Sequence, residues 1–264
     1  MSAQQTRLEI SRDGSHTVWS ETAGSYFHNP NGAVEESLYV YFEVSGIIRA
    51  LQRDEDVSVM EIGFGTGLNL LLLADLVHQH RPDAQIRFTS VEAWPLPAEQ
   101  VETLNYSSFL KNKALFAGLP PVFEQLHRAT GPSKPASGSL GDVRYEVYNC
   151  PFAKLRFKPK RPFTHVLHDP FDPAVSPELW TPEVFAWLKS RCDESAVLTT
   201  FGASTAARAS MAKGGWLIAR APGTLGKREM TVASLSEAKL RDFKRLNEAR
   251  LTERWDAGEF SRKT

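Results

Sequence analysis

The sequence predicts an α/β protein built around a doubly wound, mostly parallel sheet. Two observations carry this prediction. From Val57 onward, short apolar runs alternate with helical patterns, which is the order expected of βαβ units. In addition, a glycine-rich loop from Gly63 to Gly67 follows the first of these runs and opens a helical pattern, as ligand-binding loops of such sheets do.

Composition excludes several classes of protein. With 264 residues, of which 42% are apolar, the chain can bury a sizeable core without disulfides or metal. Its 31 basic and 31 acidic residues cancel, so a uniformly basic nucleic-acid binder is not expected. Cys150 and Cys192 lack the spacing of a metal or redox motif, and no metal is predicted. Without a signal peptide or an apolar run of membrane-spanning length, a cytoplasmic protein with no membrane partner is expected.

The first 56 residues predict a small extension of the main domain. Leu8–Ile10 and Thr17–Trp19 flank Asp13-Gly14, a strong turn dipeptide, and predict a β-hairpin. A turn-rich polar segment follows, and a helical pattern then covers residues 33–53. We therefore expect residues 1–56 to form a hairpin and a helix within the same domain as the rest.

Residues 57–236 are predicted to form the core of the domain. Its strands are expected at Val57–Ile62, Ile86–Val91, Arg144–Tyr148, Thr164–His168 and Ala196–Phe201. Its helices are expected at Leu68–His80, Ala98–Leu104, Ser107–Ala117, Pro177–Arg191 and Ala203–Lys213. The proline- and glycine-rich residues 118–142 predict an irregular insertion, and residues 215–220 with 229–233 predict a terminal antiparallel hairpin. Residues 237–264 predict a C-terminal helix and tail.

The glycine-rich loop is the sharpest functional signal in the sequence. Its pattern is E-x-G-x-G-x-G, formed by Glu61, Gly63, Gly65 and Gly67, and it lacks the Lys and Ser/Thr of a P-loop. A dinucleotide site holds pyrophosphate at the start of its helix, and Glu61 would repel that anion. The carboxylate instead favours a cationic amino-acid moiety, such as that of S-adenosylmethionine, over NAD. The remaining candidate cofactor contacts of this loop are Phe64, Thr66 and Asn69.

Glu92 ends the next predicted strand, where an acidic side chain can accept both hydroxyls of a ribose. We therefore add Glu92 to the candidate cofactor residues. The alternative is that the loop and its acids form only a tight strand–helix turn with surface carboxylates.

Asp169 follows the fourth predicted strand of the core and is the candidate catalytic residue. The carboxyl ends of parallel strands meet at one edge of a sheet, so Asp169 is expected near the glycine loop. There, a carboxylate can orient an amine and take its proton. Phe171 can wall such a site or stack on a substrate base. The alternative is that Asp169 caps the turn before Pro170 and that Phe171 lies in the core.

A cluster of cations lies between the third and fourth predicted strands. It consists of Lys154, Arg156, Lys158, Lys160 and Arg161, separated by apolar residues or proline. Contacts with phosphates supply most of the sequence-independent affinity of proteins for nucleic acids. Lys158, Lys160 and Arg161 are therefore candidate substrate contacts with RNA, and the alternative is a solvated loop.

Four segments carry a resemblance that extends over about residues 8–235. They are Tyr26 to Gly32 with Glu35, Glu36, Ser37 and Val40; Glu61 to Asn69; Asp169 to Pro173 with Pro177 to Trp180; and Gly226 to Met230. In these segments the chain resembles the methyltransferase domain of the tRNA 5-methylaminomethyl-2-thiouridine biosynthesis bifunctional proteins. That domain is similar to the class I methyltransferase superfamily, whose fold is Rossmann-like.

The resemblance implies S-adenosylmethionine as the cofactor and methyl transfer to the aminomethyl group of a tRNA wobble uridine, which completes its methylaminomethyl side chain. It also implies that Tyr26 and Pro170 contact the cofactor, that Asp169 is catalytic, and that Lys227 and Arg228 lie at the mouth of the substrate site. The bifunctional members carry a C-terminal flavin oxidoreductase module, which these 264 residues lack. A stand-alone form is therefore expected, with a separate enzyme that supplies the aminomethyl intermediate.

Two positions depart from the family pattern. Cys150-Pro151 stand where the family usually has Gly-Asp, whose carboxylate is expected beside the adenine amino group, so adenine recognition is expected to differ. Pro170 stands where the family has Gly or Ala and stiffens the turn after Asp169. Two other functions stay open. One is transfer to another amine, for which Asp169 and Asp172 offer an acidic pair as in polyamine synthases, and the other is a degenerate methyltransferase fold that serves as a binding or scaffold module.

Overall fold

The computed structural model describes residues 5–129 and 131–260, which contain two β-sheets and eight α-helices. The strands are β1 (Thr6–Ile10), β2 (His16–Ser20), β3 (Ser25–Tyr26), β4 (Ser58–Ile62), β5 (Ile86–Glu92), β6 (Ala136–Leu140), β7 (Val143–Asn149), β8 (Phe163–His168), β9 (Cys192–Thr200), β10 (Leu217–Pro222), β11 (Glu229–Ser234) and β12 (Lys244–Arg245). The helices are α1 (Ala33–Ser37), α2 (Ile47–Gln52), α3 (Leu68–His80), α4 (Ala98–Glu102), α5 (Leu119–Arg128), α6 (Pro182–Lys189), α7 (Thr205–Lys213) and α8 (Glu248–Asp256).

Within the described residues, the larger sheet has nine strands in the order β12-β10-β11-β9-β8-β4-β5-β7-β6. Its central strands β9, β8, β4, β5 and β7 pair in parallel. Antiparallel strands flank them on both sides, β11 against β9 and β6 against β7. The predicted α/β fold, with a mostly parallel sheet and an antiparallel hairpin towards the C-terminus, is therefore confirmed.

Apolar side chains cover both faces of this sheet, as a parallel sheet requires. Every residue of β4 is buried. On one face, α3 contributes Leu70, Leu73 and Val77 to a cluster that β5 and α5 complete. On the other face, α6, α7 and Trp216 pack against β8 and β9. Each fully buried Leu or Phe contributes about 1.5–3 kcal/mol, so these clusters hold the strand ends in fixed positions.

The N-terminal residues form the predicted hairpin of β1 and β2, and β3 adds a third strand from the predicted turn-rich segment. The predicted helix over residues 33–53 is interrupted: α1 is followed by a π-helical turn over Leu38–Glu43 and then by α2. In that turn, the amide of Val44 donates to the carbonyl oxygen of Tyr39 at 3.0 Å, the i→i+5 bond of a π-helix. Gly46, with a φ of 84°, separates the turn from α2.

The prediction of an irregular insertion over residues 118–142 is wrong for most of its length. It contains α5 and β6, whereas Thr130 lies outside the described residues. Pro120 and Pro121 occupy the first turn of α5, where a missing N–H costs no helical hydrogen bond. Gly138 lies within β6. Glycine fits this position because a Cβ there would come 2.7 Å from the hydroxyl of Tyr145. Proline and glycine are here parts of regular elements.

Two predicted helices also differ. The segment 107–117 forms 3₁₀ turns, Tyr106–Phe109 and Lys113–Gly118, instead of a continuous helix. The helix predicted over residues 177–191 begins at Pro182, in its first turn, as a proline start does.

The C-terminal residues contain more structure than the predicted helix and tail. A 3₁₀ turn over Glu237–Leu240 leads to β12, which pairs with β10 and extends the large sheet. Helix α8 follows, and residues 261–264 of the predicted tail lie outside the described residues, as residues 1–4 do. The division into segments 1–56, 57–236 and 237–264 stays a prediction. No helix in the described part of the chain is long and apolar enough to span a bilayer.

Candidate cofactor and catalytic site

The carboxyl ends of β4, β5 and β8 meet at one edge of the large sheet, because β4 lies between the other two in parallel register. In open α/β sheets, this edge is where ligands bind. The glycine loop follows β4, Glu92 ends β5 and Asp169 follows β8. The structure therefore brings Glu61, Glu92 and Asp169 together around the loop. Among the described residues, no group of three or more His, Cys, Asp or Glu is arranged to hold a metal ion.

Close packing accounts for the glycines of the loop. Gly63, Gly65 and Gly67 have φ angles of 90°, 54° and 76°, a region that favours glycine. A Cβ on Gly63 would lie 2.6 Å from the carbonyl oxygen of Asp169, so this glycine lets the ends of β4 and β8 approach. A Cβ on Gly67 would lie 2.8 Å from Leu119 at the start of α5. The glycines thus assemble the site, and their direct contact with a cofactor stays a prediction.

Glu61 is completely buried at the end of β4, and both oxygens of its carboxylate accept hydrogen bonds. Asn69 Nδ2 donates to Oε1 at 3.0 Å, and Ser90 Oγ donates to Oε2 at 2.6 Å. Burial raises the pKa of Glu61 to about 8, and the two hydrogen bonds oppose this rise. Because Glu61 is buried, it would act on a ligand through the charge of its ionised form, which a bound cation would favour.

Asp169 is held by two side chains from different elements. Tyr41 Oη donates to Oδ1 at 2.6 Å, and Asn69 Nδ2 donates to Oδ2 at 3.1 Å. Burial raises the pKa of Asp169 to about 8, and the bond from Tyr41 lowers it. A carboxylate whose pKa lies near neutrality suits general base catalysis. The two hydrogen bonds fix its direction, as a proton acceptor requires.

Asn69 joins the two acids from the first turn of α3. Its Nδ2 donates to both Glu61 and Asp169, and its buried Oδ1 has no hydrogen-bond partner among the described residues. A buried acceptor without a donor costs about 1–3 kcal/mol unless a ligand supplies one. Two carboxylates beside this free oxygen fit a cationic group, such as the ammonium and sulfonium of S-adenosylmethionine.

Glu92 is oriented by the backbone of the loop. The amides of Gly65 and Trp94 donate to its Oε2 and Oε1 at 3.0 and 2.8 Å. Burial raises the pKa of Glu92, and these backbone bonds lower it. Each oxygen keeps acceptor capacity for a further donor, which fits a pair of ribose hydroxyls. The amide of Cys150 donates to the backbone carbonyl of Glu92 at 3.0 Å, so the Cys150-Pro151 departure lies beside this residue.

The segment that follows β3 packs against the glycine loop. A Cβ on Gly65 would lie 3.3 Å from the ring of Phe27, which also meets the ring of Phe171 edge-on at 5.1 Å between centroids. In the next residue, His28 Nε2 lies 2.7 Å from Thr66 Oγ1. Sequence reasoning missed Phe27 and His28, and the predicted cofactor residue Thr66 uses its hydroxyl to hold this segment.

Two other predicted cofactor residues contact other parts of the protein. Tyr26 lies in the small sheet, where its hydroxyl donates to Glu9 at 2.7 Å and its ring meets Trp19 at 4.7 Å between centroids. Phe64 is buried and packs against Phe88. For both residues, a contact with the cofactor stays a prediction.

Pro170 and Phe171 continue from Asp169 along the glycine loop. A Cβ on Gly63 would lie 3.1 Å from Pro170 Cα, so the proline is packed against the loop. The carbonyl oxygen of Phe171 accepts hydrogen bonds from Ser176 Oγ at 2.7 Å and from Trp180 Nε1 at 2.8 Å. These bonds fix the turn that presents Asp169.

The turn between β10 and β11 brings Lys227 to the same edge of the sheet. Its Nζ donates to Glu36 Oε1 at 2.8 Å and lies 4.5 Å from the ring centroid of Phe201, which follows β9. A cavity of about 500 Å³ opens here, lined by Phe201, Ala203, Lys227, Arg228 and Glu229. The predicted substrate residues Lys227 and Arg228 therefore line one cavity.

The basic segment, residues 154–161, lies elsewhere. It connects the carboxyl end of β7 to the amino end of β8, so Lys160 and Arg161 lie at the opposite end of β8 from Asp169. Phe157 anchors the segment by stacking on Tyr148, with 5.3 Å between centroids. Lys158, Lys160 and Arg161 are exposed. They stay predicted RNA contacts, and their position suits phosphates remote from the reacting base.

Sequence reasoning missed Tyr41, Ser90, Glu36 and Phe201 as parts of the site. Each of the first three contacts a residue distant in the chain, which helical or strand periodicity does not indicate. Glu36 belongs to one of the segments that carry the resemblance, and this membership was a signal in the sequence that Glu36 is part of the site. Tyr41 and Phe201 have the pattern of ordinary core aromatics.

The parallel sheet and the acids at its carboxyl edge fit the class I methyltransferase fold. A profile of the family described as "S-adenosyl-L-methionine-dependent methyltransferase" matches residues 139–236. Among solved structures, MNMC2 from Aquifex aeolicus is similar, with a TM-score of 0.68 and 21% identity over 95% of this chain and 81% of that one. Spermidine synthase from Thermotoga maritima has a TM-score of 0.58 and 15% identity over 92% and 74%. These structural similarities establish the fold.

The sequence relatives carry a more particular name. The tRNA 5-methylaminomethyl-2-thiouridine biosynthesis bifunctional protein MnmC of Aromatoleum aromaticum is 28% identical over 237 residues, 87% of this chain and 35% of that protein. The protein of the same name from Marinobacter nauticus is 29% identical over 222 residues, 80% and 34% of the two chains. This chain thus spans about a third of the length of the curated relatives that it matches. The predicted resemblance is confirmed, and the match over residues 139–236 supports an S-adenosylmethionine-dependent methyltransferase.

Proposed function

We propose that this protein methylates tRNA with S-adenosylmethionine and that the acceptor is the aminomethyl group of a wobble uridine. Asp169 carries the proposal, because Tyr41 and Asn69 hold its carboxylate at the ligand-binding edge with a pKa of about 8. The tRNA and its modified uridine come from the names of the relatives.

The residues around the glycine loop fit the cofactor. Glu92 would accept the two ribose hydroxyls, and Asn69 Oδ1 would accept a hydrogen bond from the ammonium of the methionine part. Glu61 would add negative charge behind Asn69. When bound, S-adenosylmethionine supplies an electrophilic methyl group, whose bond to the sulfonium sulfur breaks, with its electron pair left on the sulfur, as the bond to the acceptor forms. The loop residues Gly63, Phe64, Gly65, Thr66 and Gly67, with Tyr26 and Pro170, are proposed as further contacts.

Asp169 would prepare the acceptor. An aliphatic ammonium has no free lone pair, so it accepts a methyl group only after it loses a proton. The carboxylate of Asp169 takes this proton and becomes a carboxylic acid, and the neutral amine keeps the electron pair that forms the new bond. Tyr41 and Asn69 hold the carboxylate towards the amine, and Phe171 walls the site. Alignment of the reacting groups supplies a large part of the rate.

Contacts with RNA complete the proposal. Lys227 and Arg228 would contact the tRNA at the mouth of the cavity beside Phe201. Lys158, Lys160 and Arg161 would contact phosphates farther along the tRNA. Such a substrate implies action in the cytoplasm. Because the acceptor must already carry its aminomethyl group, we also propose a separate enzyme that supplies this intermediate.

Transfer of a labelled methyl group tests the proposal. The protein is incubated with S-adenosylmethionine, tritium-labelled in its methyl group, and with tRNA that carries 5-aminomethyl-2-thiouridine at the wobble position. We expect label in the wobble nucleoside and none in tRNA with an unmodified wobble uridine. Label on a small amine instead would overturn the tRNA substrate. Absence of calorimetric S-adenosylmethionine binding at millimolar concentration would overturn the enzyme and favour a scaffold.

A further inference from the structure

Lys227 and Glu36 form an ion pair whose two partners differ in their surroundings. Lys227 Nζ lies 2.8 Å from Glu36 Oε1, and the two side chains are 40% and 10% exposed. Glu36 belongs to α1 and also accepts a hydrogen bond from Asn29 Nδ2 at 3.0 Å. The carboxylate is therefore fixed and largely desolvated, whereas the lysine has a path into solvent.

An aromatic ring completes the surroundings of this ammonium. Lys227 Nζ lies 4.5 Å from the centroid of Phe201. A carboxylate combined with the face of an aromatic ring binds alkylammonium groups well, because both present negative potential to the cation. Within the described part of the chain, Lys227 is the one cation paired with Glu36. Removal of Lys227 would therefore leave a buried carboxylate without a counter-charge, which is unfavourable.

Glu36 and Phe201, which surround the ammonium of Lys227, are here called the ammonium site. This site lies next to Asp169. Leu167 of β8 pairs with Thr199 of β9 in parallel register, so Asp169 and Phe201 leave neighbouring strands at the same level. The charge of Glu36 raises the pKa of Asp169 and the charge of Lys227 lowers it, after the larger effect of burial. The cavity of about 500 Å³ is lined by Phe201 and Lys227. A ligand in this cavity would therefore reach Phe201 and Lys227, and through them the side of the site where Asp169 lies.

We propose that Glu36 and Phe201 form a subsite for a primary alkylammonium group, that Lys227 fills it in the free protein, and that the aminomethyl group of the acceptor displaces Lys227. The inference rests on the proposed function for the identity of the displacing amine. The exchange replaces one ammonium by another, so Glu36 keeps a counter-charge while the acceptor binds. An acceptor without a positive charge could not replace Lys227 as the partner of Glu36, and the lysine would keep the subsite filled, which makes the subsite selective. The released lysine becomes free for a phosphate of the RNA.

Chemical rescue tests the subsite without any methyl transfer. We expect Lys227→Ala to lower the melting temperature, because Glu36 loses its partner. Ethylammonium chloride should restore it in a saturable manner, whereas tetramethylammonium chloride at equal ionic strength should not, since that ion has no N–H to donate. The double variant Glu36→Gln/Lys227→Ala should not respond. Lys227→Met keeps the aliphatic stem over Phe201 and provides a second background in which to measure the same rescue.

Lys213 offers a matched control. Its Nζ lies 2.8 Å from Asp256 Oδ1 and its side chain is 40% exposed, as for Lys227, but Asp256 is 55% exposed. Lys213→Ala should show no specific response to ethylammonium. Equal rescue of the variants at Lys213 and Lys227 overturns the subsite, and so does an absence of rescue in both Lys227→Ala and Lys227→Met.

Binding of two nucleosides tests the exchange. 5-Aminomethyluridine and 5-methyluridine differ by the ammonium group, and their affinities are measured by calorimetry with S-adenosylhomocysteine present. The unaltered protein should prefer the aminomethyl nucleoside, Lys227→Met should bind it about tenfold more tightly, and Glu36→Gln should lose the preference. Weaker binding to Lys227→Met would mean that Lys227 itself holds the nucleoside, which overturns the exchange.

The proposed function and this inference fail separately. Methylation of tRNA by the unaltered protein, together with an unchanged nucleoside preference in Glu36→Gln, overturns the inference alone. Rescue of Lys227→Ala by ethylammonium, together with no methyl transfer to the aminomethylated tRNA, overturns the proposed function and supports the subsite.

Discussion

The carboxyl edge of the large sheet and the basic segment 154–161 carry opposite charges in opposite physical settings. At the carboxyl edge, Glu61 and Asp169 each accept hydrogen bonds on both oxygens, and burial raises the pKa of each to about 8. In the basic segment, Lys158, Lys160 and Arg161 project from a loop into solvent. One region holds few charges in fixed positions, and the other holds more charges without fixed directions.

This difference predicts that the carboxyl edge serves catalysis and that the basic segment serves affinity for RNA. A buried charge is costly unless it is hydrogen-bonded, so the carboxyl edge fixes each acid and can direct it at one atom of a ligand. Exposed charges are screened over about 8–10 Å at ordinary salt, and they attract a polyanion without selecting an atom. Turnover is therefore expected to depend on single residues at the carboxyl edge, and RNA affinity on the summed charge of the basic segment.

The largest effect is expected at Asp169. Asp169→Asn keeps the size of the side chain but removes the proton acceptor, so kcat should fall about 100- to 1,000-fold in the tRNA methylation assay. Asp172→Asn is the matched control, because Asp172 is an exposed acid of the same turn, and it should keep its kcat. Equal losses in the two variants would contradict the assignment of Asp169.

Removal of the Tyr41 hydroxyl should have a smaller effect that depends on pH. The hydrogen bond from Tyr41 lowers the pKa of Asp169, so Tyr41→Phe should raise it further. Because Asp169 acts as the carboxylate, activity rises with pH, and the rising limb of kcat/KM near pH 8 should move to higher pH. At pH 7, we expect a loss of about tenfold, from one charged hydrogen bond. If the rising limb of kcat/KM stays at the same pH in Tyr41→Phe, the hydroxyl of Tyr41 does not influence the pKa of Asp169, and the role of Tyr41 is limited to packing.

The basic segment should change affinity and its dependence on salt. Replacement of Lys158, Lys160 and Arg161 by Gln should raise the KM for tRNA about fivefold and reduce the slope of log affinity against log salt by about 2–3, with kcat unchanged. Replacement of the exposed Arg53, Lys111 and Lys113 by Gln removes the same charge elsewhere. If both triple variants behave alike, total charge rather than the basic segment attracts the RNA.

The smallest effect concerns the stability of the cofactor-free protein. The folded-state pKa values of Glu61 and Asp169 lie above the ordinary values of 4.5 and 3.8, so the folded state holds protons more tightly than the unfolded state. This stabilisation is complete below about pH 4 and is lost as the pH rises through about 8. Between pH 6 and pH 8.5, the melting temperature should therefore fall about 2–4 °C less in Glu61→Gln than in the unaltered protein. If the melting temperatures of Glu61→Gln and of the unaltered protein fall in parallel over this pH range, the raised pKa of Glu61 is refuted.

The sequence predicts those parts of the site that follow from local order. Glu61, Glu92 and Asp169 each lie within one residue of the carboxyl end of a strand of a parallel sheet, so the fold alone brings them to one edge. The bridge of Asn69 between Glu61 and Asp169 and the contact of Tyr41 with Asp169 depend on side-chain directions across distant elements. The spacing of apolar and polar residues in the sequence does not indicate the directions in which these side chains point.

The sequence-based predictions that differ from the structure have a common physical cause. In residues 118–142, proline opens α5 and glycine makes room for Tyr145 in β6, so the residue types that usually break elements here belong to them. The neighbours Tyr26 and Phe27 illustrate the same limit. A polar aromatic residue is the natural choice for a ligand contact, yet Phe27 is the residue that packs on the glycine loop, because β3 turns Tyr26 towards Glu9.

The π-helical turn over Leu38–Glu43 has a consequence for how this site can evolve. Glu36 and Tyr41 are the residues on this stretch that reach Lys227 and Asp169. In a regular α-helix, residues at this spacing would point about 140° apart, whereas the wider turn brings them to a common side. If one residue between Glu36 and Tyr41 were deleted, the stretch would form a regular α-helix in which the two side chains are four residues and about 40° apart, so both would still point to a common side. Relatives that lack one residue of this stretch are therefore expected to keep both contacts on a regular helix, so the length of the stretch can vary without loss of the site.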